Sequence, residues 1–128
     1  MPSRATPGAS GLDLYACLDK DVELGPDATL VPSGIAVEVP VGFEVQLRPR
    51  SGLARRGVNV IFGTVDSDYR GEIFVNMHTI GELHSYRIQD GDRIAQLVVS
   101  RVEILTAVEA DELSDSSRGG SGFGSTGR

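Results

Sequence analysis

The chain has 128 residues, 40% of them hydrophobic, no Trp, and a formal net charge of −6. That size fits one domain with a core but is small for a large enclosed active site. The acidic balance argues against a surface built to hold nucleic-acid backbone, and no apolar run approaches the length of a membrane span.

Taken in chain order, the first informative stretch is Ala9-Ser10-Gly11-Leu12-Asp13-Leu14-Tyr15-Ala16. Asp13 lies between two leucines, so strand alternation puts it on the opposite face from both, toward solvent. No charged start followed by an apolar stretch precedes it, so no signal peptide is read. The single Cys17 rules out an internal disulfide, fits a reducing cytoplasm and reads as a small core residue.

Short apolar or alternating runs then recur at Val22–Leu24, Thr29–Val31, Ile35–Val39, Phe43–Leu47, Val58–Phe62, Ile73–Ile80, Tyr86–Ile88 and Ile94–Leu105. Turn residues separate them: Gly25-Pro26, Pro32-Ser33-Gly34, Pro40-Val41-Gly42 and Asp90-Gly91. This pattern predicts many short antiparallel strands. In the third run, Ile35, Val37 and Val39 alternate with Ala36 and Glu38, as in a half-buried strand. Only Ser51 to Arg56 reads as a short helix, with Ser51 at its N-cap. The expected fold is all-β, a distorted jelly-roll-like β-barrel with at most one short helix, over residues 1–113. From 114 to 128 the chain turns polar and Gly-rich, an arm with too little apolar surface to order itself.

The densest segment is Gly63-Thr64-Val65-Asp66-Ser67-Asp68-Tyr69-Arg70-Gly71-Glu72. Short strands around Val65 and at Tyr69 to Phe74, with a Gly-bounded polar middle, predict a hairpin. Turn chemistry alone reads the two carboxylates as a solvated turn. Four further clusters keep it company: residues 9–16, Pro49-Arg50-Ser51-Gly52-Leu53-Ala54, Gly91-Asp92-Arg93-Ile94-Ala95-Gln96-Leu97, and Arg118-Gly119-Gly120-Ser121-Gly122-Phe123-Gly124-Ser125-Thr126-Gly127. Lys20 is the one Lys among 12 basic residues. Arg makes bidentate contacts to phosphate oxygens, and Arg50, Arg70, Arg93 and Arg118 each fall inside a cluster.

In this order the five clusters resemble the five motifs of the trimeric deoxyuridine triphosphatases, the dUTPases, from about residue 9 onward. The resemblance implies a cytoplasmic homotrimer with sites shared between subunits. It implies hydrolysis of dUTP to dUMP and pyrophosphate with Mg²⁺, which limits uracil incorporation into DNA and supplies dUMP for dTMP synthesis. Asp66 matches the water-activating carboxylate, and Asp68 a structural one paired with a nearby Arg. Tyr69 matches the ring that packs against deoxyribose, where a 2′-hydroxyl would clash or be buried unpaired. Main-chain groups of Gly63, Thr64 and Val65, with Phe74 nearby, match the uracil-reading edge. Arg50, Ser51 and Gly52 match a phosphate loop, and Gln96 a phosphate-binding amide. Asp92 and Arg93 match a structural pair near a subunit contact. Asp13 matches a residue that holds magnesium through water. In the arm, Phe123 matches a ring stacked on uracil, and Arg118, Ser125 and Thr126 the γ-phosphate contacts.

The stretch 54–63 is one or two residues shorter than the family usually has, and Asn59 is displaced from the expected Asn. His78 and His84 match no motif and read as a sheet and a turn residue. Ser51 to Arg55 also resembles the dCTP deaminases, which share the fold and need a general-base Glu, for which Glu72 is the nearby candidate. A non-catalytic trimeric binding protein of this fold is expected to lack Asp66 or the arm, and this sequence has both.

Overall fold

Among residues 1–122, which the computed structural model describes, the short apolar runs form nine strands and one helical turn. They are β1 (Leu12–Tyr15), β2 (Val22–Leu24), β3 (Thr29–Pro32), β4 (Phe43–Arg48), α1 (Ser51–Ala54), β5 (Val58–Val60), β6 (Gly63–Val65), β7 (Phe74–Thr79), β8 (Tyr86–Ile88) and β9 (Arg93–Arg101). The strands pair antiparallel in three sheets, ordered β1-β9-β4-β6, β3-β7-β5 and β2-β8. Each strand contributes buried apolar side chains to one core, from Leu14 on β1 to Leu97 on β9, and α1 adds Leu53. Burying each such Leu, Ile or Val contributes on the order of 1.5–3 kcal/mol, which is what draws three small sheets around a common centre. The all-β reading with one short helix therefore holds.

β9 is the longest element because β1 and β4 flank it, and it buries Ile94, Ala95, Leu97 and Val98. Its register sets Leu12, Leu97, Leu47 and Gly63 in one row across the sheet. The adjacent row is Asp13, Gln96 and Arg48. Directly opposed residues share a face and successive residues alternate, so this polar row lies on the other side of the sheet from the core.

Several sequence expectations shift. Ile35 to Val39 are alternately shielded and exposed but belong to no strand; Ile35 accepts one backbone bond, from Ile73 N–H at 2.8 Å. Alternation reports which side is buried and carries no information about whether a neighbouring strand is available. The run from Ile94 stops as a strand at Arg101, and Ile104, Leu105, Val108 and Leu113 beyond it are exposed. The helix is shorter than expected. Its N-cap is Arg50, without a side-chain capping bond, so Ser51 is the first helical residue instead of the cap. Gly57, at φ 83°, ends the turn in a left-handed conformation that favours glycine. Cys17 is exposed, not core: it follows β1 and its Sγ lies over Gly34, where an added Cβ would come within 2.9 Å.

Candidate active site

β6 is the edge strand beside β4, whereas β7 is the centre of a different sheet. Residues 66–73 therefore cross between sheets, and the expected hairpin of two paired strands is not formed. A Gly-bounded polar segment signals a chain reversal but does not specify which strand each arm will join. Within the crossing, Tyr69 N–H donates to Asp66 O at 3.1 Å, so Tyr69 lies in a turn and not on a strand. Its Oη donates to Glu72 O at 2.9 Å. The ring can fold back this way because residue 71 is glycine: a Cβ there would sit 2.4 Å from Tyr69 Oη and 2.6 Å from Cζ.

This folding-back builds a pocket of about 280 Å³ lined by Gly63, Thr64, Val65, Asp66, Tyr69 and Phe74, with Leu47, Glu72 and Ile73 behind them. Six residues named from the sequence thus converge. The Tyr69 and Phe74 rings are each nearly half exposed, at 45% and 44%, so they form open walls that a flat ligand can cover. At Gly63 the backbone lies close to Leu47, whose Cδ1 would be 3.1 Å from any Cβ. Asp66 is exposed, and its carboxylate has no hydrogen bond or ion pair among the described residues. Asp68 likewise has no ion pair among the described residues, so the expected Arg partner is not one of them within this chain. The adjacent Arg70 instead bonds Glu38 Oε1 at 3.2 Å and the carbonyls of Ser67 and Tyr69 at 2.7 and 3.0 Å. Glu72 faces the pocket, but its Oε1 accepts Gly34 N–H at 2.8 Å.

A second group forms on the polar row of the large sheet. Asp13 is buried, only 6% exposed. Arg50 Nε lies 3.2 Å from its Oδ1 and Arg93 Nη1 3.4 Å from its Oδ2. Arg50 Nη1 also donates to Arg93 O at 3.1 Å. Asp13 is therefore not solvent-facing. Alternation correctly put it away from the core, but the two guanidiniums cover that side and residue 3 bridges to it, with Asp13 N–H donating to Ser3 O at 2.8 Å. Nor does Asp92 pair with Arg93, since its Oδ2 accepts Gln89 N–H at 2.9 Å. Gln96 is opposite Asp13. Gly11 makes room for it, because a Cβ at residue 11 would lie 3.0 Å from Gln96 Cβ and 3.1 Å from Oε1. Ser51 and Gly52 are exposed at the start of α1, where the first amides of a helical turn have no intrahelical acceptor.

The two groups share no lining residue. Leu47 on β4 walls the pocket and Arg50 belongs to the second group. Arg118 lines neither pocket, and its Nε donates to Ser121 O at 2.8 Å. Phe123, Ser125 and Thr126 lie outside the described residues. Sequence reading missed Gly11 and Gly71 as shapers of the site and Arg93 as a partner of Asp13. The two glycines stood inside the clusters, but only a close approach in space gives them a task. Among the described residues, no group of three His, Cys, Asp or Glu could hold a metal ion.

The profile of the dUTPase family matches residues 1–127. The chain belongs to the dUTPase family. It is 47% identical over 131 residues to the deoxyuridine 5′-triphosphate nucleotidohydrolase of Neorickettsia sennetsu, covering 99% of this chain and 87% of that one. It is 45% identical to the same-named protein of Desulfotalea psychrophila, with the same coverage of 99% and 87%. The dUTPase of Staphylococcus bacteriophage 80alpha, solved with dUPNHPP, superposes with a TM-score of 0.88 at 29% identity, covering 100% of this chain and 92% of that one. The family match spans all five clusters, so both groups described above are features of one dUTPase domain. No helix among the described residues is long and apolar enough to cross a membrane.

Proposed function

We infer that this chain is a dUTP diphosphatase that hydrolyses dUTP to dUMP and pyrophosphate. The observation that carries the reading is the convergence of Gly63, Thr64, Val65, Asp66, Tyr69 and Phe74 on one open pocket, in a chain matched end to end by the dUTPase profile. The Asp66 carboxylate, exposed and unpaired among the described residues, takes the proton of the attacking water. The Tyr69 ring, fixed by its bond to Glu72 O, forms the wall against which a 2′-hydroxyl would be buried without a partner. Backbone groups of residues 63–65 read the uracil edge. Ser51, the first-turn amides of α1 and Gln96 bind phosphate oxygens. Arg50 is anchored through Nε and Nη1, so it contributes charge and shape more than a free fork.

We take the working site to draw on more than one copy in a homotrimer; that the two pockets share no lining residue within one chain supports this. The arm, residues 114–128, supplies Arg118, Phe123, Ser125 and Thr126 as the cover, and excludes water other than the nucleophile. Magnesium would be held mainly by the triphosphate oxygens of dUTP and would screen their charge. The described residues do not build a resident metal site, and Asp13 already has a guanidinium at each oxygen. Against the dCTP deaminase reading stands the match of residues 1–127 to the dUTPase family; the one candidate base, Glu72, is oriented by Gly34 N–H on its Oε1. A cytoplasmic location is part of this reading, and the single Cys17 fits a reducing compartment.

The test is pyrophosphate release from dUTP, dCTP and UTP, with and without Mg²⁺, alongside native mass. Selective release from dUTP by a species of three chains is expected. Ammonia release from dCTP, or no turnover of any of the three, would overturn the reading.

A further inference from the structure

Beside the phosphate loop lies a pocket of about 200 Å³ lined by Arg50, Arg56 and Arg93, with Tyr86 among its walls and Asp92 as its one acid. Arg50 and Arg93 share a single carboxylate, Asp13. Arg56 has no carboxylate partner among the described residues; its guanidinium lies over the Tyr86 ring, 4.9 Å from the centroid. Asp92 is already bound to Gln89 N–H. Three guanidiniums around one small space exceed the charge of the two acids beside them, Asp13 and Asp92, and a further anion balances the excess. This concentration of positive charge is notable in a chain of net charge −6.

The opposite situation holds at the turn after β6. Asp68 is exposed and unpaired among the described residues. The nearest Arg in sequence, Arg70, is committed to Glu38 and to two carbonyls. The turn thus presents an acid that its own chain does not neutralise.

We propose that this arginine pocket is the socket for Asp68 of a neighbouring copy of the chain, and that the pairing sets the register between the two halves of the active site. The inference rests on the shared-site reading above. If Asp66 of one copy reaches phosphates held at Ser51 and Gly52 of another, Asp68 is at most ~7 Å of chain away from it. Arg50 immediately precedes Ser51, so the acid arrives where the positive charge is. The division of labour is also electrostatic. An ion pair at Asp66 would weaken it as a base, whereas one at Asp68 costs the chemistry nothing. The pocket is too small for a folded segment but accommodates one carboxylate side chain.

Charge reversal in the full chain tests the socket. Asp68→Arg and Arg56→Glu each alter an exposed side chain, so the fold is kept; circular dichroism verifies this, and Asp68→Asn gives a milder variant. Each reversal is expected to weaken self-association ~10-fold or more in sedimentation, with a parallel fall in dUTP turnover at low enzyme concentration. Asp68→Arg combined with Arg56→Glu is expected to recover at least ~10-fold in association. Effects that multiply without recovery, or single reversals that leave mass and rate unchanged, overturn the proposal. So does recovery of Arg56→Glu by reversing Glu109 or Asp111 instead, which makes the C-terminal segment the occupant. A wild-type chain that is monomeric and fully active overturns the shared-site reading itself, an outcome separate from neutral reversals in an intact trimer.

Discussion

Asp66 and Asp13 are the same side chain in opposite environments. Asp66 stands on a turn between two sheets, exposed, with no partner for its carboxylate among the described residues. Asp13 stands on a central row of the large sheet, 6% exposed, with a guanidinium 3.2 Å from one oxygen and another 3.4 Å from the second. A free carboxylate beside a pocket can accept a proton during a reaction. A carboxylate held between two arginines fixes their positions. The difference teaches that an acid inside the sheet is saturated by its neighbours, while an acid on the turn beside the pocket keeps its carboxylate open to a ligand.

The largest expected effect breaks the first member of this pair. Asp66→Asn should lower dUTP turnover by about 10²–10⁴-fold, the usual cost of losing a general base, with melting temperature and binding of a non-hydrolysable analogue retained. Turnover near wild type would assign the base elsewhere. For the second member, Asp13→Ala leaves two arginines facing each other without their acid. Denaturant unfolding should show a loss of about 1–3 kcal/mol, because the group is buried while its partners are partly exposed. A stability change below the error of the fit would mean that water replaces the carboxylate.

Gly71→Ala probes how the free acid's pocket is shaped. The new Cβ displaces the Tyr69 ring, so the ratio of kcat/KM for dUTP over UTP should fall by about 10-fold, in the low range of steric discrimination. Tyr69→Ala should shift the ratio the same way. An unchanged ratio in both places the sugar wall elsewhere. The smallest effect should come from Glu38→Ala, which removes the exposed partner of Arg70. Thermal melts should register no more than about 0.5 kcal/mol, as for most exposed ion pairs. A larger loss would show that the Arg70 contact holds the turn in place.

The clusters themselves were legible because each is a local arrangement. The Gly-Thr-Val-Asp run and the Tyr69 aromatic sat within one short stretch, and the fold gathered them into one pocket because they never had to be brought from far apart. The strands Val22–Leu24 and Tyr86–Ile88 were read to the residue, since turn residues bound both closely. Ile35 to Val39 misled because its alternation is real but its ladder is absent.

What the sequence by itself determined was therefore the class of fold, the strand periods, and the identity of the chemical groups in each motif. These follow from side-chain alternation, turn propensity and residue type, all of which act over a few residues. The tertiary structure alone decided which groups meet. It gave Arg93 to Asp13 instead of Asp92, turned Asp13 away from solvent, separated β6 from β7, and left Asp66 and Asp68 without partners among the described residues. Those outcomes depend on sheet register and on distances between residues remote in the chain, which no local pattern encodes.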